Sequence, residues 1–351
     1  MKIVINGQVI DENTKPYFIA EMSGNHNNDI NRAKELIWHA KRAGASAVKL
    51  QTYTADSITL NSKNKEFYID DGPWKGQYLY DLYETASTPL EWHESLFSYA
   101  QEIGITIFSS PFDNDAVDLL EGLDAPAYKI ASPEIVDIGL IEYVASKNKP
   151  IIISTGMASL EEIEDAVLAC KKMNNNQIIL LHCTSSYPTP LDQANLLNMK
   201  IIKEKFNTFV GLSDHTIGNK LPIMAYMNGA VVIEKHFTLK RSDGGVDSAF
   251  SLEADELKNL IISLNEAHLI MGKGQFGPKD IESASFKHRR SLYFINDIKK
   301  GSLIRSNDIK SVRPSNGLKP KFLHDVIGKV ANVNIAKNSP VKFELLEDAP
   351  K

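Results

Sequence analysis

Residues 17–26 read Tyr17-Phe18-Ile19-Ala20-Glu21-Met22-Ser23-Gly24-Asn25-His26. The first six are an apolar run, aromatic and β-branched at its start, of the kind that pairs inside a sheet. The four residues after the run decide between two architectures. A doubly wound dinucleotide-binding sheet places a GxGxxG turn after its first strand, and Ser23-Gly24-Asn25-His26 carries no such fingerprint. A helical pattern comes next, with Asn28 or Asp29 as cap, Ile30, Ala33, Ile37 and Ala40 at helical spacing, and Gly44 as the stop.

This run-then-helix unit recurs along the chain. Apolar runs stand at residues 47–52, 106–110, 127–131, 151–155, 178–183, 209–213 and 231–237. Thr88-Pro89-x-Glu91 and Ser159-x-x-Glu162 both read as capping boxes, and Gly104 closes the helix begun by the first. Alternating strands and helices imply parallel strands with right-handed crossovers. Eight units ending near Gly272 therefore predict an α/β fold, a (β/α)8 TIM barrel over residues 16–272, close to the roughly 250 residues such barrels take. Upstream, Asn6-Gly7 between two short apolar segments predicts a β-hairpin in residues 1–15. One connection is long, residues 53–88, and contains Gly72-Pro73-Trp74-Lys75-Gly76; loops of that length in compact domains are commonly lids. Residues 273–288 are rich in Gly, Pro and charge and read as a linker. Residues 289–351, with β-like runs at 292–295 and 329–335, read as a second small domain.

Composition narrows the class. Of 351 residues, 39 are Lys or Arg and 44 Asp or Glu, a net charge of −5, with 43% hydrophobic. That balance argues against nucleic-acid or polybasic membrane binding. No apolar stretch reaches the roughly 18 residues of a membrane span, and the N-terminus lacks a signal-peptide core. Two cysteines, Cys170 and Cys183, provide no disulfide framework and fit a reducing cytoplasm.

The polar residues concentrate where barrel enzymes bind, at the C-terminal ends of the strands. The eight runs end in or carry Glu21; Lys49 and Gln51; Ser109-Ser110; Lys129, running into Ser132-Pro133-Glu134; Ser154; His182, running into Ser185 and Tyr187; Ser213, running into His215; and Glu234-Lys235-His236. Residues two apart share a strand face, so Lys49 with Gln51, and Glu234 with His236, point the same way. For Lys49 alone a structural ion pair explains the position as well as a binding role does. Lys49 with Lys129 and a fringe of serines reads better as a site for phosphate or carboxylate. His215 and His236 end adjacent runs. They are either two hydrogen-bonded mouth residues or a metal pair, and a pair without cysteine suits Mn²⁺ or Mg²⁺ acting as a Lewis acid. His39 and His93 fall within helices and read as surface or packing residues, and His26 is ambiguous. A metal-dependent barrel hydrolase would carry an HxH pair on its first strand, which is missing here. A non-catalytic carbohydrate-binding protein would not need ionisable groups at eight strand ends.

Taken together, Glu21 with Asn25-His26, Lys49-Leu50-Gln51, Tyr128-Lys129-Ile130-Ala131-Ser132-Pro133-Glu134, Ser154-Thr155-Gly156-Met157, His182 to Pro190, Ser213-Asp214-His215-Thr216 and Glu234-Lys235-His236-Phe237-Thr238 resemble the sialic acid synthases. The tail, with Asp297 to Gly301 and Arg313 to Gly317, resembles their antifreeze-like SAF domain, and the loop around Trp74 looks most like the pseudaminic acid synthases. Ser185 stands where neuraminate-type enzymes usually have Asn. The resemblance implies condensation of phosphoenolpyruvate with an N-acetylated amino sugar. That sugar would be 2,4-diacetamido-2,4,6-trideoxy-L-altrose, with N-acetylmannosamine or the legionaminic acid precursor as alternatives. It further implies that Lys49, Lys129, Ser110, Ser132, Ser154, Ser185 and Ser213 hold phosphoenolpyruvate, and that His215 and His236 hold a divalent metal ion. Glu21 and Glu134 would be the acid–base candidates, and Gln51, Tyr187 and Asp247 the sugar contacts. It also implies a domain-swapped homodimer in which Arg313 reaches the partner's sugar.

Overall fold

The structure, a computed structural model, describes residues 2–349. The chain divides after Gly272 into two compact units.

The first unit opens with an antiparallel hairpin, β1 (Ile3–Ile5) and β2 (Gln8–Ile10). Eight parallel strands then close into a barrel: β3 (Tyr17–Glu21), β4 (Ala47–Thr52), β5 (Thr106–Pro111), β6 (Tyr128–Ile130), β7 (Ile151–Ser154), β8 (Ile178–Cys183), β9 (Phe209–Asp214) and β10 (Val232–His236), with β10 pairing back onto β3. Each strand sends alternate residues inward. The lower interior is filled by Tyr17, Ile19, Ala47, Phe108, Ala127, Ile152, Ile179, Leu181, Phe209 and Val232, and Ile3, Ile5 and Ile10 of the hairpin pack into the same cluster. The hairpin therefore plugs the N-terminal end. The barrel is open to chemistry only at the other end, where the inward rows continue as Glu21, Lys49, Ser110, Lys129, Ser154, Ser213 and Glu234. The outward rows pack with the surrounding helices in a second, larger core. Among the described residues no helix is long and apolar enough to cross a membrane. Both cysteines are buried and free.

Local signals mostly act as their chemistry dictates. Asp29 caps the helix Ile30–Ala43 by accepting from Asn31, and Gly44 ends it at φ 91°. Ser159 and Glu162 form a reciprocal capping box on Leu160–Lys172. The expected box at Thr88 and Glu91 does not form. A 3-10 turn at Leu90–Trp92 leads into a helix that starts at His93, with no side-chain cap. The Thr88 hydroxyl is instead within 3.4 Å of Nε2 of buried His26, so the oxygen that would cap the helix is engaged elsewhere.

The second unit packs around Leu292, Phe294, Ile298, Ile304, Ile309, Val326 and Val341. It pairs β11 (Ser291–Phe294) with β12 (Ile309–Val312) and β13 (Val330–Ala331) with β14 (Leu346–Glu347). The run expected over 329–335 pairs as a strand only at Val330–Ala331, because Asn332 and Asn334 engage the backbone of Glu344 and Lys300 with their side chains. The end of the stretch read as linker is also tied down, Phe286 and Lys287 accepting from the Ser315 side chain and backbone.

The plug makes a stability prediction. Ile5 is fully buried, so Ile5→Ala should cost about 2–5 kcal/mol in urea unfolding of the intact chain. A loss under about 1 kcal/mol would mean that the hairpin does not belong to the barrel core.

Candidate active site

At the open end of the barrel, the inward rows place four charges together in almost complete burial: Glu21 at 0% exposure, Lys49 at 3%, Lys129 at 2% and Glu234 at 4%. Lys49 Nζ lies 2.6 Å from Glu21 Oε2, 3.8 Å from Glu234 Oε1, and donates to Ser110 Oγ at 3.2 Å. Lys129 Nζ lies 3.3 Å from Glu234 Oε1, and Ser213 Oγ donates to that same oxygen at 3.4 Å. Gln51 Nε2 donates to Glu21 Oε1 at 2.9 Å. The cluster is thus a chain, Gln51–Glu21–Lys49–Glu234–Lys129, whose four charges alternate in sign. The two lysines that the sequence reads as anion binders are each paired with a buried carboxylate, Lys49 with Glu21 and Glu234 and Lys129 with Glu234. Sequence reasoning gave Glu234 no role of its own, although its position two residues before His236 on one strand face was the available signal.

Burial and pairing set the protonation of the chain. Burial lifts Glu21 to about 7 against the pull of Lys49. Burial also acts to raise Glu234, but Lys129 and Lys49 outweigh it and hold that carboxylate below its ordinary value. Lys49 is pulled down by burial and pushed further up by Glu21 and Glu234, ending above its ordinary value. Lys129 is pulled down by burial more than Glu234 lifts it and, with Lys49 nearby, ends below its own.

The hydroxyls gather beside this chain. Ser132 Oγ accepts from the Gly156 backbone at 3.1 Å. A Cβ on Gly156 would collide with the side-chain oxygens of both Ser132 and Ser185, so only glycine lets the two hydroxyls converge. Ser154 Oγ is buried without a hydrogen-bond partner, as are Glu134 Oε2, Glu234 Oε2 and His236 Nδ1. Buried polar atoms are normally satisfied. Four such atoms at one barrel mouth mark a place built for a polar ligand.

The two histidines lie at the edge of the cluster. Ring centroids of His215 and His236 are 5.4 Å apart, and Asp247 Oδ2 is 3.6 Å from His236 Nδ1. The Ser23 hydroxyl holds Asp247 in place. The Nδ1 of His215 is engaged by the Thr184 carbonyl at 3.1 Å, which leaves Nε2 as its nitrogen for a ligand. His236 is pushed well below its ordinary value by burial and by His215, so it is a neutral imidazole. Burial acts to lower His215, but Cys183 and the Thr184 carbonyl lift it above its ordinary value, so a cation would have to displace its proton. The orphaned nitrogen of neutral His236, with the His215 ring across from it, fits a divalent cation. Among the described residues no group of three or more His, Cys, Asp or Glu side chains is arranged to hold a metal, so oxygens from outside the protein would complete the shell.

An aromatic wall flanks the pair. The Tyr187 ring lies 4.4 Å from that of His215 and 5.2 Å from Phe250, and Trp74 of the long loop lies 5.3 Å from Tyr187. Trp74 Nε1 donates to the Val246 carbonyl at 2.9 Å, pinning the long loop to the segment that carries Asp247. Glu134 stands apart in the turn Pro133–Val136 after β6, its carboxyl raised by burial to about 7. Arg313 lies exposed on the second unit. His93 packs in the outer core against Thr52 at 2.8 Å, and His26, lowered to about 4 by burial, packs edge-on against Trp92. Neither takes part in the cluster.

The chain is similar to known proteins along most of its length. A family described as the NeuB family matches residues 36–276, and the SAF domain matches residues 289–347. Pseudaminic acid synthase of Helicobacter pylori is 46% identical over 334 residues, covering 95% of this chain and 98% of that protein. The N,N'-diacetyllegionaminic acid synthase of Legionella pneumophila is 35% identical, covering 94% of each. The crystal structure of N-acetylneuraminic acid synthetase from Leptospira borgpetersenii, in complex with citrate, superposes with a TM-score of 0.73 at 33% identity, covering 82% of this chain and 96% of that one.

Glu134 makes a testable claim. Its folded value of about 7 lies above the ordinary 4.5. Below the lower value the carboxyl is neutral folded and unfolded. Above the upper value the fold carries a buried charge. Glu134→Gln should therefore raise Tm relative to the parent above pH 7, and the difference should shrink towards pH 5. A difference that stays flat from pH 5 to 8 would contradict a carboxyl raised by burial.

Proposed function

This chain belongs to the NeuB family, and on that premise we propose that it is a pseudaminic acid synthase, a transferase condensing phosphoenolpyruvate with 2,4-diacetamido-2,4,6-trideoxy-L-altrose. The observation that carries the choice of sugar is the identity step, 46% to a pseudaminic acid synthase against 35% to a legionaminic acid synthase, each over nearly the full chain.

Phosphoenolpyruvate is a polyanion and needs fixed donors. Lys49 and Lys129 offer two ammoniums, and Ser110, Ser132, Ser154, Ser185 and Ser213 offer hydroxyls at the mouth. Because Glu21 and Glu234 hold the lysines in place, little reorganisation accompanies binding, the condition under which electrostatic stabilisation of a transition state is largest. C3 of the enol attacks the open-chain sugar's aldehyde carbon, water adds at C2, and the C2–O bond breaks to release phosphate. Glu134 suits proton transfer better than Glu21. Both carboxyls are raised to about 7, but Glu134 keeps an oxygen without a hydrogen bond whereas Glu21 is occupied by Lys49 and Gln51. Gln51, Tyr187 and Asp247 line the sugar's side, and the Trp74–Tyr187–Phe250 wall keeps bulk water away. His215 and His236 would hold a divalent ion, Mn²⁺ or Mg²⁺, which when bound supplies Lewis-acid polarisation of the aldehyde. The reading includes a cytoplasmic homodimer in which the second unit's Arg313 meets the sugar bound by the partner chain.

Phosphate release should require both phosphoenolpyruvate and sugar, and should be fastest with the 2,4-diacetamido-L-altrose. A faster rate with N-acetylmannosamine or the legionaminic acid precursor would overturn the sugar assignment. His215→Ala should lower turnover about a hundredfold or more. Full turnover of the parent chain after chelation would remove the metal from the mechanism.

A further inference from the structure

The two histidines stand just past the end of the β9–β10 ladder, although His236 still pairs with Glu21 of β3 on its other side. β9 and β10 pair from Val232↔Gly211 to Lys235↔Asp214, and the ladder stops there. His215 and His236 are each the next residue. On the outward side of the strands, opposite Glu234 and His236, their neighbours take over. Lys235, 1% exposed, donates Nζ to Asp214 Oδ2 at 2.5 Å and to the Thr216 carbonyl at 2.5 Å. The other Asp214 oxygen accepts from the Thr216 backbone at 2.8 Å. One ammonium thus grips the residues on both sides of His215 while its own backbone adjoins His236. A buried ion pair adds little net stability, since desolvating both ions offsets their attraction. Its use here is geometric.

We propose that Lys235 is a positioning residue. With Asp214 it forms a clamp behind the barrel wall that fixes the spacing of the His215 and His236 rings, and so sets the affinity of that pair for a divalent cation. The inference rests on the reading of this histidine pair as a metal site. Groups that orient metal-binding histidines from the second layer commonly change affinity ten- to a hundredfold when lost.

The test is a double variant, Asp214→Asn with Lys235→Met, which removes both charges together and keeps an acceptor for the Thr216 N–H. Mn²⁺ affinity is read by electron paramagnetic resonance, phosphoenolpyruvate affinity without metal by calorimetry, and folding by Tm. The expected result is Mn²⁺ binding weakened about ten- to a hundredfold with phosphoenolpyruvate affinity unchanged. Unchanged Mn²⁺ binding overturns the clamp, as does an equal loss of both ligands, which would mark a general collapse of the mouth. If the double variant does not unfold cooperatively, Asp214→Asn alone is judged by the same criteria. If Mn²⁺ binding by the parent chain survives His236→Ala, the metal does not sit on this pair, and both the metal reading and the clamp fall.

Discussion

Four buried charges govern the open end of this barrel. Taking an ammonium or a carboxylate out of water costs several kcal/mol per ion even after relaxation, and that cost is offset only by close, well-directed partners. Glu21, Lys49, Glu234 and Lys129 meet the condition as a chain in which each member touches an opposite charge. The rest of the structure serves that arrangement. The closed sheet supplies rigid strands at fixed register, the apolar lower interior keeps water out from below, and the hairpin seals the far end. A cluster assembled this way is set before any ligand arrives. It can be unfavourable for the fold and favourable for catalysis at once, because the donors need not move.

Strand periodicity explains how much of this was legible in the residues. Eight apolar runs and their helix punctuation specify the barrel, since parallel strands buried on both faces read as continuous apolar stretches. The polar strand ends likewise announced the mouth, and the inward parity of Lys49, Gln51, Glu234 and His236 followed from a period of two. What the residues did not announce were partners. Nothing local says that Glu234 bridges Lys49 and Lys129, because three strands must close around it first. The Thr88 box failed for the same reason. A local cap competes with a tertiary contact, and buried His26 holds that hydroxyl. The short pairing at Val330–Ala331 has a different cause, asparagine side chains competing for the backbone nearby.

The long loop shows how a segment without barrel structure is recruited to the site. Trp74 has one polar atom, and it binds the Val246 carbonyl, one residue before Asp247. The same ring then faces Tyr187, which faces His215. One side chain therefore ties an insertion after β4, the loop after β8 and the loop after β10 into a single wall. Because the contact is made by a rigid ring with few rotamers, it fixes the wall with little loss of entropy.

The end of β10 condenses the logic of the molecule. Glu234, Lys235 and His236 are consecutive and all buried, yet they meet two different environments of the protein interior. Glu234 and His236 face the barrel lumen, where unsatisfied atoms wait for a ligand. Lys235 faces the helices, where its bonds to Asp214 and Thr216 leave its charge matched. A run of Glu-Lys-His buried on both faces of a strand is costly, because each charge loses its hydration. It is tolerated here because each face supplies its own counter-charge. The alternation of the strand, rather than the composition of the segment, is what separates the residues that do chemistry from the residue that holds them still.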